Sequence, residues 1–248
     1  MHQHLTITAH SGCEGTEQDS IESVRTGIIL GADIVEIDVR KTEEGLLVIS
    51  HNHCAGYGDC VELEDVFRIV AKDGRVRVNC DIKETEIVQD VLAAAVRHGL
   101  CNNSLILSGS VTPYLLKKDS TITSRAAVHL NIEEILKQYC VENFEMPGKE
   151  LAFEPPWEVT REFQKELTPH IQTLMEDGLR LGAQAINLPY SEWARQYFAG
   201  VYTLGLPISV WTVNVQEDME RLIGYGILNL TTLNVRQALS VRKAALGY

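Results

Sequence analysis

Glu36 and Asp38 stand two residues apart inside an apolar run, in the stretch DIVEIDVRKTEEGLLVISH that covers residues 33 to 51. Strand periodicity puts Ile34, Glu36 and Asp38 on one face and Val35, Ile37 and Val39 on the other. Two carboxylates held among apolar residues are costly unless a cation meets them. A divalent metal is the natural cation, because hard ions take carboxylate oxygens. A turn at TEEG and a second apolar run, LLVIS, then deliver His51 at a strand end. The competing reading of the two acids is a surface edge strand with outward charges, and the apolar flanks oppose it.

Other residues of the same chemical kind recur at strand ends. LTITAH reads as a first strand ending in His10. RVRVNCDIK reads as a strand with Asn79, Asp81 and Lys83 on one face. Asp81 is a third candidate metal ligand, with an ion pair to Lys83 as its plainer role. Both roles are compatible, since Lys83 can reach a phosphate oxygen beside a metal. Histidines titrate where a proton must be taken and given back near neutral pH. HNHC with Cys60 offers His51, His53, Cys54 and Cys60, but at no standard zinc spacing.

The elements that must position these groups alternate along the chain. Strands begin near residues 5, 34, 75, 104, 123, 184, 207 and 227, each followed by a helical pattern, with LLVIS as an extra element. Ser20 is the expected N-cap of the helix IESVRTGIIL, which Gly31 ends. A long helix is expected over roughly residues 160 to 181, and a long loop over 142 to 156. Strand and helix in alternation imply a parallel sheet under covering helices. Eight such units in 248 residues favour a closed (β/α)8 TIM barrel over an open sheet. No glycine-rich dinucleotide fingerprint follows the first strand, and no linker or composition break divides the chain, so one domain over 1–248 is expected. In a parallel barrel the strand ends at the C-terminal mouth are where chemistry sits.

Composition bounds the partners. A formal net charge of −12 argues against nucleic acid and against an anionic membrane surface. The start MHQHLTITAH lacks a secretory pattern, and no apolar run is long enough to span a bilayer, so a cytoplasmic protein without stable membrane association is expected. The six cysteines show no framework spacing and are expected as reduced thiols.

With these pieces placed, the chain resembles the glycerophosphodiester phosphodiesterase family. AHSG stands at the family's His-Arg-Gly motif and EQDS at its Pro-Glu-Asn-Thr-like motif. GADIVEIDV matches its Glu-x-Asp segment, LLVISHN its Val-x-x-His-Asp, and VNCDIK its Asn-Ile-Glu-Ile-Lys. VWTVN and DMERLIGYGILNLTT match its closing segment. The resemblance implies a PLC-like phosphodiesterase type of TIM barrel that hydrolyses a small glycerophosphodiester with magnesium or calcium. It implies His10 and His51 as the acid–base pair, and Glu36, Asp38, Asp81 and Gln18 as metal ligands. It places Lys83, Ser11 and Trp211 at the substrate. Ser11 stands for an arginine, Gln18 for a glutamate, Asp81 for a glutamate, Asn52 for an aspartate and Thr232 for an aspartate. The family's insertion after the second histidine is expected to be deleted, because His51 and Asp81 lie too close in sequence to hold it. Two rival readings follow: a weakened barrel that binds a phosphorylated ligand, and a metal amidohydrolase using His51 and His53. The second would want more histidines on strands than His129 supplies.

Overall fold

The computed structural model describes residues 4–53, 60–143, 161–191 and 195–247. Its sheet is built from β1 (Thr6–Ala9), β2 (Ile34–Lys41), β3 (Leu47–Ile49), β4 (Val61–Glu62), β5 (Arg77–Ile82), β6 (Leu105–Gly109), β7 (Ala127–Asn131), β8 (Ala185–Pro189), β9 (Ile208–Trp211) and β10 (Asn229–Thr232). Between and after them run α1 (Ile21–Leu30), α2 (Leu63–Asp73), α3 (Val88–Arg97), α4 (Pro113–Lys118), α5 (Ile122–Arg125), α6 (Ile132–Asn143), α7 (Arg161–Arg180), α8 (Arg195–Thr203), α9 (Gln216–Gly224) and α10 (Val235–Leu246).

β1 pairs in parallel with both β10 and β2, which closes the sheet. The ring runs β1-β10-β9-β8-β7-β6-β5-β2, with every neighbour parallel. The fold is therefore a (β/α)8 barrel. β3 and β4 are an antiparallel flap on the outer end of β2. They form where the turn TEEG reverses the chain, so LLVIS extends the second unit without adding a ninth barrel strand.

Local chemistry explains the helix limits. The Ser20 side chain accepts the Ser23 N–H at 3.0 Å, and Gly31 ends α1 at a φ of 86°. Thr112 caps α4, accepting the Leu115 N–H at 3.4 Å, with Pro113 in the first turn where its missing N–H costs nothing. β7 starts at Ala127, later than the sequence pattern implies. Asp119 accepts both the N–H and O–H of Thr121, and the turn so started runs into the short helix α5. Much of the long loop expected over 142 to 156 lies outside the described residues, and the long helix is α7.

The main core lies between strands and helices, where Ile7, Val35, Ile37, Val78, Leu107, Val128, Leu188 and Val210 pack outward against Phe67, Leu92 and Leu116. The barrel interior is mostly polar. Its apolar part is a small cluster of Ile34, Ile106 and Ala127. Above it Thr8, Asn79, Ser108, His129, Asn187, Ser209 and Asn229 are buried. Arg242 of α10 clasps the ring near its closure: it pairs with Asp33 and donates to the Leu5 carbonyl at 3.2 Å, while Asp33 Oδ2 accepts the Ile7 N–H at 2.7 Å.

His129 sits within this interior on β7 and is 4% exposed. Burial, reinforced by the Arg77 guanidinium, pushes its pKa down to about 3. The unfolded imidazole titrates at about 6.5, so between those values the unfolded chain binds more protons. The stability contributed by neutral His129 is complete above about pH 6.5 and is lost as pH falls toward 3, at about 1.4 kcal/mol per pH unit. Urea unfolding at pH 6.5 and 5 should show the wild type losing about 2 kcal/mol more than His129→Leu. Equal losses in the two proteins would contradict this placement.

Cys13, Cys80 and Cys101 are free thiols, but Cys60 is disulfide-bonded. The expectation of six reduced cysteines fails there. Spacing excludes a disulfide framework, but a single bridge needs only two sulfurs brought together by a fold. Cysteine usage therefore lends no support to a reducing compartment. Among the described residues no helix is long and apolar enough to cross a membrane.

Candidate active site

His10, Gln18, Glu36, Asp38, His51, Asn79, Asp81, Lys83, Ser108, Asn131, Asn187, Trp211 and Thr231 line one cavity of about 160 Å³. Most of these side chains come from the barrel strands or the segments just after them, and His51 comes from the end of the β3 flap. The period-2 alternation of β2 and β5 turns Glu36, Asp38, Asn79 and Asp81 inward, and the register sets Glu36 beside Asn79 and Asp38 beside Asp81.

Glu36, Asp38 and Asp81 each offer an oxygen within 4.8 Å of the others, and they are the one such group among the described residues. Glu36 is 7% exposed and Asp38 3%. Burial, with the charges of Asp38 and Asp81, pushes Glu36 up to about 7, against the pull of His10 and the Ser11 N–H. Burial and Asp81 likewise raise Asp38, although Lys83 opposes them. Lys83 Nζ lies 2.6 Å from Asp38 Oδ1 and 2.5 Å from Asp81 Oδ2. Burial would favour a neutral amine, but these two acids raise its pKa and keep it charged. One ammonium facing three carboxylates leaves the cluster short of positive charge. The donor set thus fits a hard divalent cation, all oxygen and electrostatically unfinished.

Asp81 is held from behind. Ser108 donates to its Oδ1 at 2.9 Å, and Gly109 lets β6 pass close beneath it. Gly109 has a φ of 73°, and a Cβ there would stand 2.3 Å from the Ile82 carbonyl oxygen and 2.9 Å from Asp81 Oδ1. Gly109→Ala should destabilise the fold by about 1 to 3 kcal/mol. The check is thermal melting, with a fall in Tm of about 2–4 °C per kcal/mol; an unchanged Tm would show that β6 does not need glycine.

The two histidines flank the acids and are held differently. His10 Nδ1 donates to the Ser11 carbonyl at 2.9 Å and lies 4.0 Å from Glu36 Oε2. Burial works against its protonation, but Glu36, the Ser11 carbonyl, Asp38 and Asp81 together raise its pKa. Nε2 is left as the nitrogen free for exchange. His51 is exposed at the rim, with its backbone pinned on both sides. Its N–H donates to Asp19 Oδ2 at 2.7 Å, and its carbonyl accepts from Arg40 Nε at 3.0 Å.

Asp19 is a positioning residue that the motifs do not single out. It holds a φ of 53°, accepts the Ser11 hydroxyl at 3.0 Å and donates its own N–H back to Ser11 Oγ at 2.7 Å. It thereby ties the loop after β1 to His51. Ser11 is 3% exposed, its hydroxyl is committed to Asp19, and its N–H donates to Glu36 Oε2 at 3.1 Å. These bonds make it a brace for the loop after β1. Gln18 reaches the cavity from an exposed position. Trp211 faces it with an indole N–H that is buried and without a partner. Thr232 lies outside the cavity and donates to Asn214 Oδ1 at 3.1 Å. His53 is exposed and does not line the cavity, and His129 lies buried. The histidine set wanted by an amidohydrolase is therefore not assembled here.

Fold and site together define a (β/α)8 barrel with a carboxylate cluster, a lysine and two histidines at its C-terminal mouth. No protein-family model matches the chain. A glycerophosphodiester phosphodiesterase of Caldanaerobacter subterraneus subsp. tengcongensis is 25% identical over 244 residues, covering 91% of this chain and 93% of the relative. A glycerophosphodiester phosphodiesterase structure from Thermotoga maritima superposes with a TM-score of 0.62 at 20% identity, over 98% of this chain and 100% of that one. A phosphodiesterase from Oleispira antarctica, solved with the product sn-glycerol-3-phosphate, gives 0.60 at 15% identity over 95% and 96%. The resemblance read from the motifs is thus met by sequence similarity along nearly the whole chain, at 25% identity, and by a shared fold.

Proposed function

We propose that this barrel hydrolyses a small glycerophosphodiester to glycerol phosphate and an alcohol, with a divalent metal at its mouth. The observation that carries the reading is that Glu36, Asp38, Asp81, Lys83, His10 and His51 line one cavity. The relatives' names agree with it, and the Oleispira antarctica structure holds a product of this class.

Glu36, Asp38 and Asp81 would hold the metal, with Gln18 able to add a neutral amide oxygen. Such an ion, magnesium or calcium by its oxygen donors, would offset charge on the phosphoryl oxygens. Lys83 supplies a second positive charge, already drawn toward the same acids, for a non-bridging oxygen of the diester. Hydrolysis needs one proton removed from the nucleophile and one delivered to the leaving alkoxide. His10, through Nε2, and His51, exposed at the rim, take these two tasks. Trp211 offers its ring to the bound diester. Arginine's bidentate grip on phosphate has no substitute at Ser11, so ground-state binding leans on Lys83 and the metal. The chain acts as one barrel domain, without the family's insertion over the mouth.

The test is metal-dependent release of alcohol and glycerol phosphate from a panel of glycerophosphodiesters. Turnover that chelation abolishes supports the reading. Binding of glycerol phosphate without turnover of any diester would replace it with that of a phosphate-binding barrel, which the missing arginine favours.

A further inference from the structure

The cavity has two chemically different walls. The wall from β1, β2 and β5 carries the acids, Lys83 and His10. The facing wall, from β7, β8, β9 and β10, carries Asn131, Asn187, Trp211 and Thr231, all uncharged. Its polarity is set by a chain of hydrogen bonds that starts outside the cavity. Glu133, in the first turn of α6, accepts from Asn131 Nδ2 at 3.3 Å through Oε1. That turns the Asn131 carbonyl the other way, where Asn131 Oδ1 accepts from Asn187 Nδ2 at 2.8 Å. Asn187 is 7% exposed and lines the cavity; one of its two N–H groups is engaged by Asn131, and its Oδ1 accepts from no other described residue. Among the described residues Glu133 has no basic partner, and its Oε2 is buried without a hydrogen bond. Burial pushes its carboxyl up to about 8, so near neutral pH Oε1 acts as a carbonyl-like acceptor.

We propose that Glu133, Asn131 and Asn187 form a relay that fixes the Asn187 carbonyl as an acceptor for a hydroxyl of the ligand's glycerol moiety. Selectivity for a polyol phosphate over a simple alkyl phosphate then resides on this wall. The assignment rests on the hydrolytic reading for the kind of ligand, and on the hydrogen-bond directions for the residues. The phosphate end belongs on the charged wall, so the alcohol end meets Asn187. An amide oxygen can only accept, and a hydroxyl is the donor that a glycerol phosphate brings. Glu133 is a positioning residue: it touches Asn131 and not the ligand.

Calorimetry of the full chain with magnesium, using sn-glycerol 3-phosphate and methyl phosphate as probes, tests this apart from turnover. The wild type should prefer glycerol phosphate. Asn187→Ala and Glu133→Leu should each cut that preference about 5- to 10-fold while leaving methyl phosphate affinity unchanged. Glu133→Gln keeps a carbonyl acceptor and should retain the preference. Should Glu133→Leu fail to fold, Asn187→Ala alone decides. Equal binding of both probes by the wild type, no binding of either, an equal loss for both probes, or a preference that survives Asn187→Ala would overturn the relay. A chain that shows the preference yet hydrolyses no diester would instead overturn the hydrolytic reading and leave the relay standing.

Discussion

His10→Ala is expected to slow glycerophosphodiester hydrolysis about 10²- to 10⁴-fold, and His51→Ala by a similar factor. The double variant should be little slower than the worse single one, because the two residues serve one proton cycle. The geometry motivates a loss in kcat. His10 is anchored through Nδ1 to a backbone carbonyl and leaves Nε2 to exchange a proton. His51 is fixed by its backbone to Asp19 and Arg40, and its Nδ1 lies 3.4 Å from Asn52 Oδ1, which leaves Nε2 to exchange a proton. Neither histidine is among the oxygen donors of the metal cluster, so KM for the diester should change far less than kcat. Multiplicative losses in the double variant, or losses confined to KM, would separate the two histidines and end the acid–base assignment.

Removing two carboxylates should have the second large effect. Glu36→Gln with Asp38→Asn is expected to weaken magnesium and calcium binding by more than about 100-fold, a larger loss than changes around a metal site usually cause. The wild-type cluster holds three acids against one ammonium, and Glu36 is raised to about 7 because its charge is buried beside the others. That unfavourable charge is what a cation would relieve. In the double variant only Asp81 stays ionisable, and Lys83 already pairs with it at 2.5 Å. Relief from mutual repulsion should let the metal-free variant fold as stably as the wild type, which separates lost binding from lost structure. Unchanged affinities by calorimetry would place the metal elsewhere.

The parts of this account that the sequence showed plainly were those governed by short-range periodicity. Alternation on β2 and β5 was enough to turn Glu36, Asp38, Asn79 and Asp81 to one side, and the strand–helix rhythm was enough for a closed barrel. Where long-range contact decides, the residues were silent. Asp19 matters because a positive φ carries its carboxylate to the backbone of His51, 32 residues on. The amide pair of Asn187 and Asn131 spans 56 residues, and no local pattern marks either as a pocket wall. The Ser11 hydroxyl reaches Asp19, a contact that its position in a motif does not mark. The later start of β7 reflects a side-chain turn at Asp119, which competes with strand propensity at Ile122 and Thr123. Cys60 shows the same limit, since sulfur pairing follows the fold and not the spacing.

The most direct test of the central claim is a crystal structure of the chain grown with calcium and sn-glycerol 3-phosphate. The account predicts one ion bound by Glu36, Asp38 and Asp81 at about 2.3–2.6 Å, with the phosphate beside it on Lys83 and between His10 and His51. An ion bound away from these carboxylates, or a phosphate outside this cavity, would contradict it.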